Sequence, residues 1–379
     1  MNVLFLEKYF SPYNGGVERV TFRLGEHFRS QNIRCYYLFE DKDCNLIADS
    51  FKIRLNNRCT YWQFRRNLLR AVKEYSIDVI IVQQLFSDKL WFALNEIKLR
   101  YQCKIVTCFH NSPNVCWYMP KVKWSKRALL YKFTGIYPTT FIGSVKRFCD
   151  ISDSFVLLSD SFKDDFKRIY HPKCISKLVS IPNPCTFDCN ISTKDIGKKK
   201  KQVLIVSRFW ETQKNLCTAL YIWSQIEKKG FSDWNLVIAG NGPDEVQIKE
   251  YAESLRLERC RFLGVVSNPL PLYVESRIFM MTSNFEGWGM TLVEALQNGC
   301  VPIVFDTFSA VHDIIKSGNN GFIVPPGNES FYIKEMVKLM EDEFLYIMMA
   351  KRAIDGVSVF SLDNVGKRWL ELFEKLLKE

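Results

Sequence analysis

Trp234-Asn235-Leu236-Val237-Ile238-Ala239-Gly240-Asn241-Gly242-Pro243-Asp244 is the stretch that decides the fold. Trp234–Ala239 is an apolar run of strand length, Gly240–Pro243 breaks any regular element, and Asp244 opens a helix that reads on to Leu255. Strand, glycine turn and helix make half of a βαβ unit, whose next strand runs parallel to the first. The same order continues downstream through Arg261–Leu263, helix Leu270–Ser276, strand Ile278–Thr282, helix Gly289–Asn298, strand Val301–Phe305, helix Ala310–Ser317 and strand Gly321–Val324, with further helices beyond. Upstream stand strand Gln202–Ser207 and helix Asn215–Lys228.

The first half of the chain repeats the plan. Strand Asn2–Lys8 leads through Ser11–Gly16 to helix Val17–Ser30, and strand Arg34–Phe39, helix Tyr61–Tyr75, strand Asp78–Gln83, helix Ser87–Arg100 and strand Lys104–Phe109 follow. Strand Ser154–Leu158 and a helix capped by Ser159 or Ser161 close the series. Such alternation predicts an α/β protein with parallel sheets covered by helices on both faces. A length of 379 residues, against roughly 100–200 per domain, predicts two doubly wound, Rossmann-like domains. We expect them at 1–182 and 183–360, with the seam at Ile181-Pro182-Asn183-Pro184 and Lys198–Lys201 as a solvated lead-in. The last segment, 361–379, reads as a C-terminal helix, with a return to the N-terminal domain as one course open to it. Because parallel sheets bind ligands at the carboxyl ends of their strands, the expected site is a cleft that both domains face.

Composition narrows the chemistry. With 47% apolar and 25% charged residues the chain is neither disordered nor collagen-like. No apolar run approaches the roughly 18–20 residues of a membrane span. Met1–Lys8 carries an acid and a base and no basic leader, so the expected location is cytoplasmic. The thirteen cysteines are an odd number and none is paired as Cys-x-x-Cys, and there are four histidines. Neither a disulfide framework nor a metal site fits that pattern, and free buried thiols are expected at Cys103/Cys108 and Cys185/Cys189. The net charge of +11 is lopsided: up to Pro182 there are 29 lysines and arginines against 16 carboxylates, and beyond it 23 against 25. From Ile97 to Cys149 no carboxylate occurs. Such a half-molecule calls for an anionic partner.

Four loops at strand ends carry chemistry. Gly15-Gly16 precedes a helix, where bare backbone and free amides suit an anion, although a purely structural turn is the commoner role of such a pair taken alone. Ser207-Arg208-Phe209 places a cation just past a strand end and Lys214-Asn215 another at a helix start, which the dipole disfavours unless an external anion lies between them; a solvated surface pair is the alternative reading. Glu286 stands in the glycine-rich loop Phe285–Gly289, and a carboxylate held there can accept hydrogen bonds from two neighbouring sugar hydroxyls; an acid stabilising the helix start explains Glu286 in part but not its flanking glycines. His110-Asn111 ends a strand, where a lone histidine is otherwise structural. Nothing matches a Walker loop or Gly-x-Gly-x-x-Gly.

Together these residues resemble the family 4 retaining glycosyltransferases. Glu286-Gly287-Trp288-Gly289-Met290-Thr291-Leu292-Val293-Glu294, running on to Pro302, is similar to their Glu-x7-Glu region. Gly15–Arg19, His110-Asn111, Arg208 with Lys214-Asn215, Gly240-x-Gly242-Pro243 and Asn320–Pro325 extend the likeness along nearly the whole chain. The resemblance implies a GT-B fold and a hexosyl-type transferase (class EC 2.4) of bacterial glycan synthesis. It makes Arg208, Lys214, Glu286 and His110 catalytic: the two cations neutralise a donor diphosphate, Glu286 holds sugar hydroxyls, and His110 lies near the sugar's outer hydroxyls. It assigns Glu294 to the ribose, Gly15 and Gly16 to phosphate and sugar, and Gly264, Val265, Ser309 and Ala310 to base and phosphate. Asn215, Gly240, Gly287, Trp288, Gly289, Met290 and Thr291 complete the implied donor site. Trp288, where Phe is common, and Cys300, at a small-residue position, are minor departures.

The implied reaction is front-face transfer with retention, without a metal or cofactor. The donor is a UDP-, GDP- or ADP-sugar and the acceptor a glycan or polyprenyl-diphosphate-linked glycan. An inactive nucleotide-sugar sensor and a GT-B epimerase are the alternatives. Lys121, Lys123, Trp124, Lys126 and Arg127 interleave cations with apolar groups, as an acceptor-side segment docking on an anionic membrane's inner face would; a helix with solvated lysines fits equally. No recognised nucleic-acid motif accompanies them, and a nucleic-acid binder would leave the Glu286/Glu294 loop without a use.

Overall fold

The computed structural model describes residues 1–7, 15–39, 52–54, 61–83, 86–117, 141–187 and 191–378. The chain divides into two compact units, Met1–Pro182 with Val365–Glu379, and Asn183–Asn364. In the first, β1 (Asn2–Leu6), β2 (Arg34–Phe39), β3 (Lys52–Arg54), β4 (Val79–Gln83), β5 (Lys104–Phe109), β6 (Ser154–Leu157) and β7 (Leu178–Ser180) form one sheet in the order β3-β2-β1-β4-β5-β6-β7. All its pairings are parallel. Val3–Leu6 and Val79–Val82 are entirely buried, as central strands covered on both faces must be. Helices α1 (Gly16–Ser30), α2 (Tyr61–Glu74), α3 (Asp88–Arg100), α4 (Phe141–Ile151) and α5 (Phe162–Tyr170) join the strands. Val20, Leu24 and Phe28 form the buried stripe of α1, and Phe28 stacks on Phe5 at 6.1 Å.

The C-terminal helix, Leu362–Lys378, buries Trp369 and Phe373 against Phe28, at 6.4 and 5.3 Å between ring centroids. Gly366 is required there, because a Cβ would overlap the His27 ring. Arg368 donates to the Ser180 carbonyl at 2.6 Å.

In the second unit β8 (Lys200–Val206), β9 (Asn235–Ala239), β10 (Cys260–Gly264), β11 (Ser276–Met281), β12 (Val301–Phe305) and β13 (Phe322–Val324) form a parallel sheet in the order β10-β9-β8-β11-β12-β13. Between them run α6 (Glu211–Lys214), α7 (Leu216–Lys228), α8 (Glu245–Ser254), α9 (Leu270–Glu275) and α10 (Met290–Gln297). Trp223, Trp234, Ile238, Ile278 and Tyr332 belong to its core. Each isoleucine among them contributes about 1.5–3 kcal/mol on burial.

Four elements differ from the sequence reading. β3 and β7 have three residues each, too few for any periodicity to show. The helix expected over Ala310–Ser317 is only Val311–Ile314, and α6 is a single turn that the sequence does not announce. Both sheets reverse strand order at one point, between β1 and β4 and between β8 and β11. A doubly wound sheet opens its ligand crevice at that point, beyond the carboxyl ends.

Candidate active site

Lys214 and Glu286 follow the two strands that flank the second switch point, β8 and β11. The Lys214 Nζ lies 2.6 Å from Glu286 Oε1, with side chains 17% and 8% exposed. Ser283 Oγ donates to the same oxygen at 2.7 Å. Local backbone produces this meeting. Asn215 takes a left-handed conformation (φ 50°), which ends α6 and turns the chain into α7. The two loops are then stitched together: Thr282 Oγ1 donates to the Asn215 carbonyl (2.9 Å), and Asn284 N to the Gln213 carbonyl (2.7 Å). Thr307 Oγ1 joins from a third loop by donating to the Ser283 carbonyl at 2.6 Å. Lys214, Glu286, Ser207, Thr282, Ser283 and Thr291 surround a void of about 10 Å³, room for roughly one water.

The expectation that an external anion relieves a cation at a helix start is corrected here. Lys214 ends α6 rather than beginning α7, and the start of α7 already has its anion. Glu211 accepts from the amides of Leu216 (2.8 Å) and Cys217 (3.1 Å). Lys214 is therefore directed to Glu286.

Arg208 is exposed beyond β8 and forms no ion pair among the described residues. Its backbone is fixed from below by the turn Gly240–Gly242. Phe209 N donates to the Asn241 carbonyl (2.7 Å) and Asp244 N to the Phe209 carbonyl (3.1 Å). A Cβ at Gly240 would overlap the Ser207 carbonyl oxygen, and one at Gly242 the Phe209 backbone. Gly240 thus serves the loop that carries Arg208 through close packing.

The glycine-rich loop supplies donors. Gly289 caps α10 in a left-handed conformation (φ 75°). Among the described residues, none accepts a hydrogen bond from the amides of Gly287, Trp288, Gly289, Met290 or Thr291. Unsatisfied amides at a helix start beside a lysine attract anionic oxygen. Trp288 is buried with its ring edge-on to Phe360 at 5.2 Å, so it braces the loop.

At the first unit's switch point, Gly15 caps α1 in extended conformation and Gly16 opens the helix. The Glu18 carboxylate folds back over Gly15, where a Cβ would strike it. His110, just past β5, is buried with Nε2 2.5 Å from Gln83 Oε1 at the end of β4. Glu7, beyond β1, is a buried carboxyl that sequence reading passes over. Burial pushes it well above the usual carboxylate range, Glu18 adds to this, and the Thr21 hydroxyl offsets it only in part. A raised carboxyl keeps its proton when the unfolded chain has lost it, so stability falls as pH rises from the ordinary glutamate value to the folded one. We predict that Glu7→Gln removes this slope, at most about 1.4 kcal/mol per pH unit. In thermal melts the variant should match the parent near pH 4 and exceed it at pH 7.

Lys121, Lys123, Trp124, Lys126 and Arg127 lie outside the described residues, as does Cys189. Cys103, Cys108 and Cys185 are free and buried.

Comparison with known proteins now bears on this geometry. Residues 14–187 match the Glycosyltransferase Family 4 model and residues 189–355 the Glycosyl transferases group 1 model. The chain belongs to the family 4 glycosyltransferases. It is 23% identical, over 82% of its length and 78% of the other's, to the Campylobacter jejuni GalNAc-alpha-(1->4)-GalNAc-alpha-(1->3)-diNAcBac-PP-undecaprenol alpha-1,4-N-acetyl-D-galactosaminyltransferase. A Bacillus subtilis poly(glycerol-phosphate) alpha-glucosyltransferase is 24% identical over 60% of this chain, which spans a third (33%) of that protein. Anabaena HepE, solved with UDP and glucose, superposes with a TM-score of 0.76 at 17% identity, covering 99% of this chain and 100% of that one. The glycosyltransferase has the GT-B fold, with two Rossmann-like domains.

In this glycosyltransferase Glu294 sits on α10 with 0% exposure. Its Oε1 accepts from Thr186 Oγ1 (2.8 Å) and its Oε2 from Tyr273 OH (2.9 Å). With one hydroxyl on each oxygen and no exposed surface, Glu294 in the structure as it stands fastens α10. Ser309 is half-buried and Ala310 fully buried behind Thr307. Val265 is 71% exposed beyond β10, and Gly264 (φ 67°) accepts from the Gly240 amide at 2.7 Å. Ser207, Ser283, Glu211, Thr186 and Tyr273 shape the site without a motif of their own; Ser283 stands three residues before Glu286, the one positional hint available. No helix among the described residues is long and apolar enough to cross a membrane.

Proposed function

We propose that this glycosyltransferase moves a hexosyl unit from a UDP-, GDP- or ADP-sugar to a hydroxyl of a glycan or polyprenyl-diphosphate-linked glycan, with retention and without a metal or resident cofactor. The observation that carries the reading is the Lys214–Glu286 pair beside the free amides of the Gly287–Met290 loop. A donor diphosphate takes the ammonium, the amides and the Arg208 guanidinium. Glu286, released from Lys214, accepts from sugar hydroxyls. As the glycosidic bond breaks, negative charge grows on the leaving phosphate, where these fixed positive groups stabilise it. Enzymatic retention by double displacement needs a carboxylate nucleophile near the anomeric carbon. Among the described residues, the only carboxylate lining the void is Glu286, already paired with a cation. We therefore favour front-face attack, with the leaving phosphate oxygen taking the acceptor proton.

Thermal-shift screening against the three nucleoside diphosphates identifies the donor class, since a ligand of the folded state raises the melting point. Proton NMR of the product with that donor should show the donor's anomeric configuration, at a rate unchanged by EDTA. An inverted product defeats the front-face mechanism, and no transfer to any hydroxyl acceptor returns the chain to a sensor. For location, we propose the cytoplasm, with the N-terminal domain on the inner face of the membrane through Lys121, Lys123, Trp124, Lys126 and Arg127. Co-sedimentation with anionic vesicles should be strong at low salt and lost when these cations become glutamine; no co-sedimentation refutes the docking.

A further inference from the structure

The excess positive charge of the first half is not consumed by the site above. Between α3 and α4 lies a cavity of about 360 Å³, lined by Trp91, Asn95 and Lys98 on one face of α3, Arg147 and Asp150 on α4, and Lys173. It is remote from the strand ends that hold His110. Lys98 Nζ binds Asp153 Oδ1 (2.8 Å), and Asp153 Oδ2 accepts from Ile105 N (2.8 Å), at the amino ends of β5 and β6.

The lining holds three cations and one carboxylate, and two of the cations are already paired with carboxylates beyond it, Lys98 with Asp153 and Arg147 with Asp88. Asp150 accepts from the Lys173 amide at 3.1 Å, Arg147 pairs with Asp88, and the Arg147 guanidinium lies 5.0 Å from the Trp91 ring centre. Two donors are left over. The Lys173 ammonium is exposed with no ion pair among the described residues, and the Trp91 Nε1–H is buried with no acceptor. A buried donor without a partner is costly, so an acceptor delivered from outside gains more there than on an ordinary surface. Clustered cations with an orphan N–H in a cavity are matched by an oxyanion with several acceptor atoms.

We propose that this cavity binds a phosphate monoester of small size, its oxygens on Lys98, Arg147, Lys173 and the Trp91 indole. The volume is at the lower end of small-molecule sites, which suits a sugar phosphate or a lipid headgroup. The proposal is independent of the donor site.

The test uses the full chain at low salt. Calorimetric titration with glucose 6-phosphate supplies the soluble form, and flotation with phosphatidic acid vesicles, against phosphatidylcholine alone, supplies the headgroup form. Lys173→Ala alters an exposed side chain, and Trp91→Phe leaves an aromatic ring beneath Arg147, smaller than the indole, while removing the N–H. Each should weaken binding of one of the two phosphate sources about fivefold or more, and Lys214→Met should leave it unchanged. The source whose binding depends on these residues identifies the ligand form. No binding of either source at about 10 mM phosphate, binding indifferent to both substitutions, or binding lost on Lys214→Met overturns the proposal.

Discussion

Lys214→Met lowers kcat/KM by about 10²–10³-fold, the effect of removing one charged or dipolar group that stabilises a developing anion, about 2.7–4 kcal/mol. The loss should fall mainly on kcat, because the ammonium is most valuable when the leaving diphosphate carries its full charge. A second effect accompanies it in the unliganded protein. Glu286, with a side chain 8% exposed, keeps only Ser283 of the two partners described here. Leaving a nearly buried carboxylate without its cation costs up to about 3 kcal/mol, seen as a lower melting point. The double variant Lys214→Met/Glu286→Gln separates the two effects: stability returns, because no charge is stranded, while activity stays low. Because Glu286→Gln by itself removes a sugar ligand, the activity comparison is with that single variant: a double variant no less active than Glu286→Gln means that the ammonium acts only by holding Glu286.

Gly240→Ala is the second large expectation, and it acts through the fold. Gly240 has φ 133°, where a side chain is strained, and a Cβ would overlap the Ser207 carbonyl oxygen. Neither backbone can give way freely, since Ser207 N is bonded to the Ala239 carbonyl (3.0 Å) and Gly240 N to the Gly264 carbonyl (2.7 Å). Strain and overlap together should destabilise this unit by about 3–5 kcal/mol, a fall in melting temperature of roughly 10 °C for a domain of this size. Because Ser207 precedes Arg208, donor binding should weaken even in the fraction that folds. Gly230→Ala is the control: φ is 87° but nothing stands within 4 Å of the added methyl, so only the backbone cost, about 1 kcal/mol, should appear.

The contrast between these residues shows what sequence could reveal. Strands Arg34–Phe39, Lys104–Phe109 and Val301–Phe305 are legible to the residue, because apolar runs bounded by polar turns state their own ends. The glycines of 240–242 mark their turn for the same reason. Lys214 and Glu286 stand 72 positions apart, and no local pattern connects them; only the resemblance to a family pairs them before the fold does. Glu211 reads as an ordinary surface acid, since the left-handed Asn215 that lets it cap α7 from outside the usual position has no distinct sequence mark. Glu294 does carry a signal in sequence: Leu292, Val293, Ala295 and Leu296 flank it on both sides, and a helix segment apolar on all sides is a buried one. A carboxylate there needs internal partners, which Thr186 and Tyr273 supply.

The most direct measurement is the affinity of the donor's nucleoside diphosphate, and of the intact nucleotide sugar, for the parent chain, Lys214→Met and Glu286→Gln. If Lys214 holds the diphosphate and Glu286 the sugar, Lys214→Met weakens both ligands. Glu286→Gln should weaken only the intact sugar, by about tenfold, and leave the bare diphosphate as tight or tighter because its ammonium is no longer tied to a carboxylate. Equal weakening of both ligands by Glu286→Gln, or diphosphate binding indifferent to Lys214→Met, contradicts that division of roles.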